Sequence, residues 1–291
     1  MQDHKTGGDQ QAESKPVTAP RFDPRRIYTI LVLVPLLYAV IRYFPPLAFS
    51  AVVALAGALA LFEFYRLCFN DRSRSWLIGI GLIGFTGLVF GAHWPGIIVP
   101  TLLATLICIT SVPLLGGAPL EENLRDGAMT LFGVLYLGFT LSTISMTRLL
   151  PQGEWLIIFL LLVTWASDTG AYYAGTLFGR HRLAPTISPK KTYEGLVGGL
   201  ISAIITGYAA RWWFLPEISG LDCLILGVLL TIIGLWGDLA ESAMKRSAGM
   251  KDSGGILPGH GGMLDRLDSL LFTAPVFYYY VTIASWLRVI E

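Results

Sequence analysis

Long apolar runs constrain this chain of 291 residues more than any other feature of its sequence. Hydrophobic residues make up 54% of it and charged residues 14%, so there is too little polar surface to cover a soluble globule of this length. Runs long enough to cross about 30 Å of hydrocarbon as helices occupy nine segments: 27–44, 46–65, 76–94, 97–115, 127–147, 155–178, 195–214, 222–241 and 270–290. We therefore predict an all-α polytopic membrane protein with about nine transmembrane helices.

These runs divide the chain into three parts. Residues 1–26 are polar and lack an apolar core, so we predict a disordered N-terminal tail and not a signal peptide. Residues 27–150 hold about five spans. Residues 151–291 hold about four spans and two charged loops, at 179–194 and 242–269.

The basic residues fall unevenly on the two sides that nine spans define. Most of the 21 lysines and arginines lie on the side of the N-terminus, and the other side has only Arg42, Arg148, Arg211 and Arg288. By the positive-inside rule, we predict that the N-terminus is cytoplasmic and the C-terminus is on the opposite side. The net charge of +1 and the sequence motifs give no indication of a nucleic-acid partner.

The sixth span carries a carboxylate, Asp168, within its apolar pattern. An ionised carboxylate inside a membrane costs roughly 2.5 to 3.5 kcal/mol on insertion scales, so Asp168 needs a partner. Neighbouring hydroxyls of Ser167 or Thr169 are one explanation, and a functional site is the other.

The loop at 179–194 combines basic residues with turn-forming ones. Ser188 and Pro189 are expected to start a turn, and Thr192 to cap the next helix, which would place Lys190 and Lys191 near a helix N-terminus. Backbone N–H groups and ammonium groups attract phosphate there. Anchoring by the positive-inside rule is the alternative explanation.

The eighth span ends with polar residues at i, i+3, i+4 and i+7, which lie on one helical face: Asp238, Glu241, Ser242 and Lys245. Asp265 and Asp268 repeat part of this spacing before the ninth span. A glycine-rich loop joins the two spans and can bring Asp238 and Asp265 together. Such carboxylates favour Mg²⁺, whereas zinc prefers histidine and cysteine. His260, in the same loop, is either a loop-ordering residue or a ligand of phosphate or base.

This pattern resembles the signature of the phosphatidate cytidylyltransferases, also called CDP-diacylglycerol synthases. The residues of this chain that match the signature, at the same spacing, are Ser242, Lys245, Arg246, Lys251, Asp252, Gly254, Pro258, His260, Gly261, Gly262, Asp265, Arg266 and Asp268. Segments 168–172 and 187–195 resemble a second region of that family, and the resemblance covers residues 164–269.

The resemblance implies that CTP and phosphatidic acid give CDP-diacylglycerol and pyrophosphate with Mg²⁺, in a lipid bilayer. It also implies a bacterial inner membrane, with the active site facing the cytoplasm. Residues 151–291 would be the catalytic region. A second cation and a homodimer are both left open by the sequence.

Site roles follow from the same resemblance. The catalytic residues would be Asp238, Asp265, Lys245 and Arg246. The metal ligands would be Asp238, Asp265, Asp268 and Asp168. The residues that bind substrate phosphates would be Ser188, Lys190, Lys191, Ser242, Lys251, His260 and Arg266.

Two other functions are compatible with charged residues at a membrane surface. A CTP-dependent lipid-alcohol kinase would transfer the terminal phosphoryl group and release CDP. A transporter would use Asp168 and Asp238 in an ion pathway, but the sequence has no inverted repeat and its charge lies at one membrane face.

Overall fold

The computed structural model describes residues 24–69, 74–111, 119–250, 254 and 262–290. The predicted tail at 1–26 lies outside these residues except for its last three, which begin the first helix.

The described residues form nine α-helices and one two-stranded hairpin, so each predicted apolar run corresponds to one helix. The helices are α1 (Pro24–Tyr43), α2 (Pro46–Phe69), α3 (Ser75–Phe90), α4 (Ile98–Ser111), α5 (Leu120–Leu149), α6 (Gly153–Phe178), α7 (Tyr193–Trp213), α8 (Gly220–Ser247) and α9 (Leu264–Ile290). The strands are β1 (Arg182–Ala184) and β2 (Ser188–Thr192).

Five of these helices are long and apolar enough to cross a bilayer: α2, α5, α6, α8 and α9. The prediction of an all-α, multi-pass membrane protein is thereby confirmed. Helices α3 and α4 are shorter, with 16 and 14 residues, and a turn followed by the short 3₁₀ helix Pro95–Ile97 separates them. The number of nine crossings and the orientation of the termini stay predictions.

The hairpin was not expected from the sequence. The predicted turn at Ser188 and Pro189 is wrong, because the turn lies at residues 185–187 and Ser188 begins β2. Strand β2 pairs antiparallel with β1, with Arg182 opposite Thr192. Pro189 is tolerated because a two-stranded ribbon has only edge strands. Strands this short carry no readable periodicity.

A side-chain contact closes the base of the hairpin. His181 Nδ1 lies 2.6 Å from Glu194 Oε1, and the His181 N–H also donates to the Glu194 carboxylate. The side-chain hydrogen bond lowers the pKa of the Glu194 carboxyl to about 2. Glu194 therefore stays ionised near neutral pH. The hairpin is fixed to the start of α7.

The last two helices extend past the apolar runs that predicted them. Helix α8 continues to Ser247 and α9 begins at Leu264. Polar residues therefore occupy whole helical turns beyond the apolar segments, because a helix needs backbone hydrogen bonds and not hydrophobicity to continue. Lys245 and Asp265 consequently lie on helices and not in the connecting loop.

Helices α6 and α7 pack closely along most of their lengths. Small residues allow this approach. A Cβ atom at Gly198 would collide with the Cβ of Ala174 and lie 2.8 Å from the carbonyl oxygen of Gly170. The contact sets the position of the hairpin, which connects the two helices.

The N-terminal half is built around α2, α3 and α5, which pack on one another, and both α2 and α5 also contact α9. Tyr65 of α2 is fully buried, and its hydroxyl donates to the Thr130 carbonyl at 2.8 Å. Arg74 donates to the buried Asp126 at 2.8 Å and ties the start of α3 to α5. Helix α9 is therefore shared by both halves.

We expect Gly198→Ala to destabilise the protein by about 1 to 3 kcal/mol, because overpacking must push α6 and α7 apart. The measurement is thermal unfolding in detergent. Gly79→Ala is the matched control, since a Cβ there meets nothing within 4 Å. An unchanged melting temperature for Gly198→Ala would contradict the proposed role of this contact.

Candidate active site

One cavity of about 690 Å³ lies between α6 and α7 on one side and α8 and α9 on the other, with the hairpin beside it. It is lined by residues from all of these elements: Ser167, Asp168, Ala171, Tyr172, Gly175, Thr176, Gly179, Arg182, Ser188, Lys190, Lys191, Thr192, Gly195, Leu196, Thr231, Leu235, Asp238, Asp265, Asp268 and Ser269. Segments more than 90 residues apart in sequence thus share one space.

Most of the predicted site residues meet in this cavity. Its lining includes all four aspartates that were predicted as metal ligands: Asp168, Asp238, Asp265 and Asp268. It also includes three predicted phosphate-binding residues: Ser188, Lys190 and Lys191. The structure therefore brings together carboxylates and cations that four separate elements contribute.

An ion pair connects the hairpin to α8. Lys191 Nζ lies 2.6 Å from Asp238 Oδ2, and the hydroxyl of Ser242 donates to the other oxygen of Asp238 at 3.3 Å. Thr192 follows Lys191 and caps α7, as predicted, by accepting the Gly195 N–H at 3.1 Å. The cap fixes the strand and helix that present Lys191.

A second ion pair connects α8 to α9. Lys245 Nζ lies 2.5 Å from Asp265 Oδ1, and the backbone N–H of Gly262 donates to Asp265 Oδ2 at 3.1 Å. The Asp268 carboxylate accepts its neighbouring backbone N–H, that of Ser269, at 2.6 Å. These contacts hold the aspartates of the first turns of α9 beside the end of α8.

Sequence reasoning did not assign a role to Glu241, which lies next to this second pair. Its side chain is fully buried, and its carboxylate is 3.3 Å from Lys245 Nζ. The helical spacing could have indicated that Glu241 belongs to the site, because it follows Asp238 by three residues and lies on the same helical face.

The cavity lining also includes polar residues to which the sequence assigned no role, among them Arg182, Thr231 and Ser269. Ser269 stands four residues after Asp265, so helical spacing places both on one face of α9. Arg182 belongs to β1, and its place in the site depends on the hairpin that the sequence did not predict.

Of the predicted site residues that the structure describes, four do not line the cavity. Ser242 and Lys245 still contact its aspartates through the bonds described above. Arg246 is exposed, and its guanidinium donates to the Met250 carbonyl at 3.5 Å. Arg266 is exposed on α9. Lys251 and His260 lie outside the described residues.

The oxygen donors of the cavity fit a hard divalent cation such as Mg²⁺, which accepts carboxylates together with water and substrate phosphate. No preformed group of three or more acidic, histidine or cysteine ligands occurs among the described residues. Lys191 and Lys245 instead hold two of the aspartates. These lysines neutralise Asp238 and Asp265 in this structure.

Residues 24–284 match the family described as the cytidylyltransferase family. The chain belongs to this family. The match extends well beyond residues 164–269, on which the sequence resemblance rested, and includes all the N-terminal helices.

Several relatives in this family are named phosphatidate cytidylyltransferase. One from Staphylococcus aureus is 34% identical over 247 residues, which cover 82% of this chain and 93% of the relative. One from Staphylococcus saprophyticus is 42% identical over 177 residues, 60% of this chain and 67% of the relative. One from Synechocystis is 45% identical over 167 residues, 55% of each chain. The predicted resemblance is confirmed.

The Lys191–Asp238 pair should contribute to stability. We expect Lys191→Ala and Asp238→Asn each to destabilise the protein, and the double variant to lose less than the sum of the two. A coupling free energy of roughly 0.5 to 3 kcal/mol is expected for residues in direct contact. Unfolding in detergent measures it, and strict additivity of the two losses would argue against the pair.

Proposed function

We propose that this chain transfers the cytidylyl group of CTP to phosphatidic acid, giving CDP-diacylglycerol and pyrophosphate for phospholipid synthesis. Its family and the relatives named phosphatidate cytidylyltransferase support this function. The observation that carries the proposal is the cavity where aspartates of α6, α8 and α9 face lysines of the hairpin. A membrane-embedded protein gives the lipid substrate direct access to such a site.

The reaction is an in-line displacement at the α-phosphorus of CTP. A phosphate oxygen of phosphatidic acid forms the new P–O bond, and the bond between the α- and β-phosphates breaks with its electrons leaving on pyrophosphate. The nucleophile is already an anion near neutral pH, so it needs no strong general base. The main obstacle is repulsion between two polyanions, which cationic groups must offset.

The lysines and the serine of the hairpin can supply that compensation. Lys190 and Lys191 line the cavity beside Ser188, and we propose that they hold the triphosphate and the lipid phosphate. Lys191 would exchange its contact with Asp238 for a phosphate oxygen. Lys245 and Arg246 would assist from the end of α8.

We further propose that Mg²⁺ is the cofactor. Asp238 and Asp265 would be its principal ligands, with Asp268 and Asp168 as further ligands or as acceptors for metal-bound water. When bound, the ion would neutralise negative charge on the triphosphate. Oxygen donors gathered in one cavity support this proposal.

The site would lie at the cytoplasmic side of a bacterial inner membrane. The basic hairpin, the end of α8 and the start of α9 are all on the side that the positive-inside rule assigns to the cytoplasm. CTP would arrive from the cytosol, while the lipid substrate keeps its acyl chains in the inner leaflet.

We expect Asp265→Asn to reduce CTP-dependent formation of CDP-lipid by about 10²-fold or more, since charge stabilisation terms of this size are typical for such sites. The assay uses labelled CTP and phosphatidic acid with purified protein in detergent. Wild-type protein should release pyrophosphate, because release of CDP instead would indicate a lipid kinase.

Asp222→Asn is the matched control for that variant. Asp222 lies at the other end of α8, where it completes a capping box with Ser219 and accepts the Tyr280 hydroxyl at 2.8 Å. The substitution should lower stability and leave turnover per folded molecule unchanged. Near-normal turnover in Asp265→Asn would refute its proposed role.

A metal-binding experiment tests the cofactor separately from turnover. Chelator should abolish activity, and Mg²⁺ without nucleotide should raise the melting temperature of the wild-type protein, because a ligand that binds only the folded state stabilises it. Asp238→Asn should remove that shift. A shift of equal size in the variant would rule out Asp238 as a ligand.

A further inference from the structure

A buried glutamate lies in the N-terminal half, in a helix that otherwise has the composition of a membrane span. Glu63 belongs to α2, whose mean hydropathy reaches 2.1, and it is only 1% exposed. A carboxylate in such a segment is costly and needs specific partners. It does not line the cavity, so the proposed reaction does not account for it.

The partner of Glu63 comes from the region of the site. Its Oε2 atom accepts the backbone N–H of Leu264 at 2.9 Å, across 201 residues of sequence. A Cβ atom at Gly254 would lie 2.7 Å from Glu63 Oε1, so the backbone of Gly254 also lies close to this carboxylate. Two separate points of the glycine-rich segment therefore meet one side chain of α2.

Leu264 is the first residue of α9, and the next residue is Asp265. A carboxylate at a helix N-terminus satisfies an N–H group that has no partner within the helix and interacts favourably with the helix dipole. Asp265 accepts the backbone N–H of Gly262, which lies two residues before the helix begins. The start of α9 is consequently held by one carboxylate of the site and one from α2.

We propose that Glu63 is a positioning residue that sets where α9 begins and thereby orients Asp265 and Asp268 toward the cavity. Helix phase matters because a shift of one residue rotates each side chain by about 100° around the helix axis. Among the contacts that α2 and α5 make with α9, this hydrogen bond is the one that reaches the first residue of the helix. The kinetic consequence rests on the proposed function, and the structural consequence does not.

The alternative is that the contact of Glu63 with α9 only stabilises the packing of α2 against α9. It would lower the stability of the whole protein and the fraction of active molecules without changing the properties of those that stay folded. A positioning role also changes the local opening of the first turn of α9 and the apparent affinity of folded enzyme for CTP.

The experiment compares Glu63→Ala and Glu63→Gln with wild-type protein in detergent. Hydrogen exchange at the amides of residues 262–266 should accelerate about tenfold in Glu63→Ala, which corresponds to loss of a helix cap. Glu63→Gln keeps an acceptor oxygen and loses the charge, so it should fall between wild type and alanine. The KM for CTP should rise about fivefold or more in Glu63→Ala.

Glu154→Gln is the matched control. Glu154 is a partly buried carboxylate at the start of α6, and it pairs with Arg42 at 3.3 Å and Arg148 at 3.2 Å. The cavity is formed by the other end of this helix. The Glu154→Gln substitution should lower the melting temperature without altering hydrogen exchange at residues 262–266 or the KM for CTP.

Unchanged local exchange and unchanged KM in the Glu63 variants would overturn the proposal, even if their melting temperatures fall. If Glu63→Ala does not fold, the exchange rate in Glu63→Gln decides the question by the same criterion. If wild-type protein makes no CDP-lipid, the proposed function fails, and the exchange comparison still tests the role of Glu63.

Discussion

Compensation of buried charge is the constraint on which the rest of this structure depends. Aspartates within or beside membrane spans are costly without partners, and four of them face one cavity. Lys191 and Lys245 neutralise two of these carboxylates through contacts between different elements. The helices that carry the aspartates are therefore held together by the same groups that would bind substrate phosphates and a divalent ion.

Backbone packing makes this arrangement possible. Close approach of α6 and α7 through glycine and alanine fixes the ends of the hairpin, and the His181–Glu194 contact and the Thr192 cap then fix its base. Lys191 reaches Asp238 because the helix packing, the contact at the base of the hairpin and the helix cap together fix the position of strand β2. The cavity is thus a consequence of helix packing and turn geometry together.

The two halves of the chain have different compositions, and both contact helix α9. Residues of α2 and α5 are mostly apolar and pack against α9, while the charged residues of the cavity come from α6, the hairpin, α8 and α9. Through Glu63, the apolar half contacts the first turn of α9. A helix outside the cavity lining is thereby bonded to the helix that carries Asp265 and Asp268.

The sequence by itself determined the class of protein, the approximate positions of the helices and most of the charged residues that meet in the cavity. Apolar runs predict helices because the bilayer leaves few alternatives for the backbone, and helical spacing grouped Asp238 with Ser242 and Asp265 with Asp268. The cap at Thr192 was also predictable, since such caps are local.

The tertiary structure alone decided which distant groups meet. The hairpin, the pairing of Lys191 with Asp238 and the contact between Glu63 and Leu264 all join segments whose separation in sequence carries no periodic signal. Glu241 stood in a predictable position, but its burial beside Lys245 depends on how α8 packs against α9. Local spacing fixes which face a side chain occupies, and only packing fixes what that face touches.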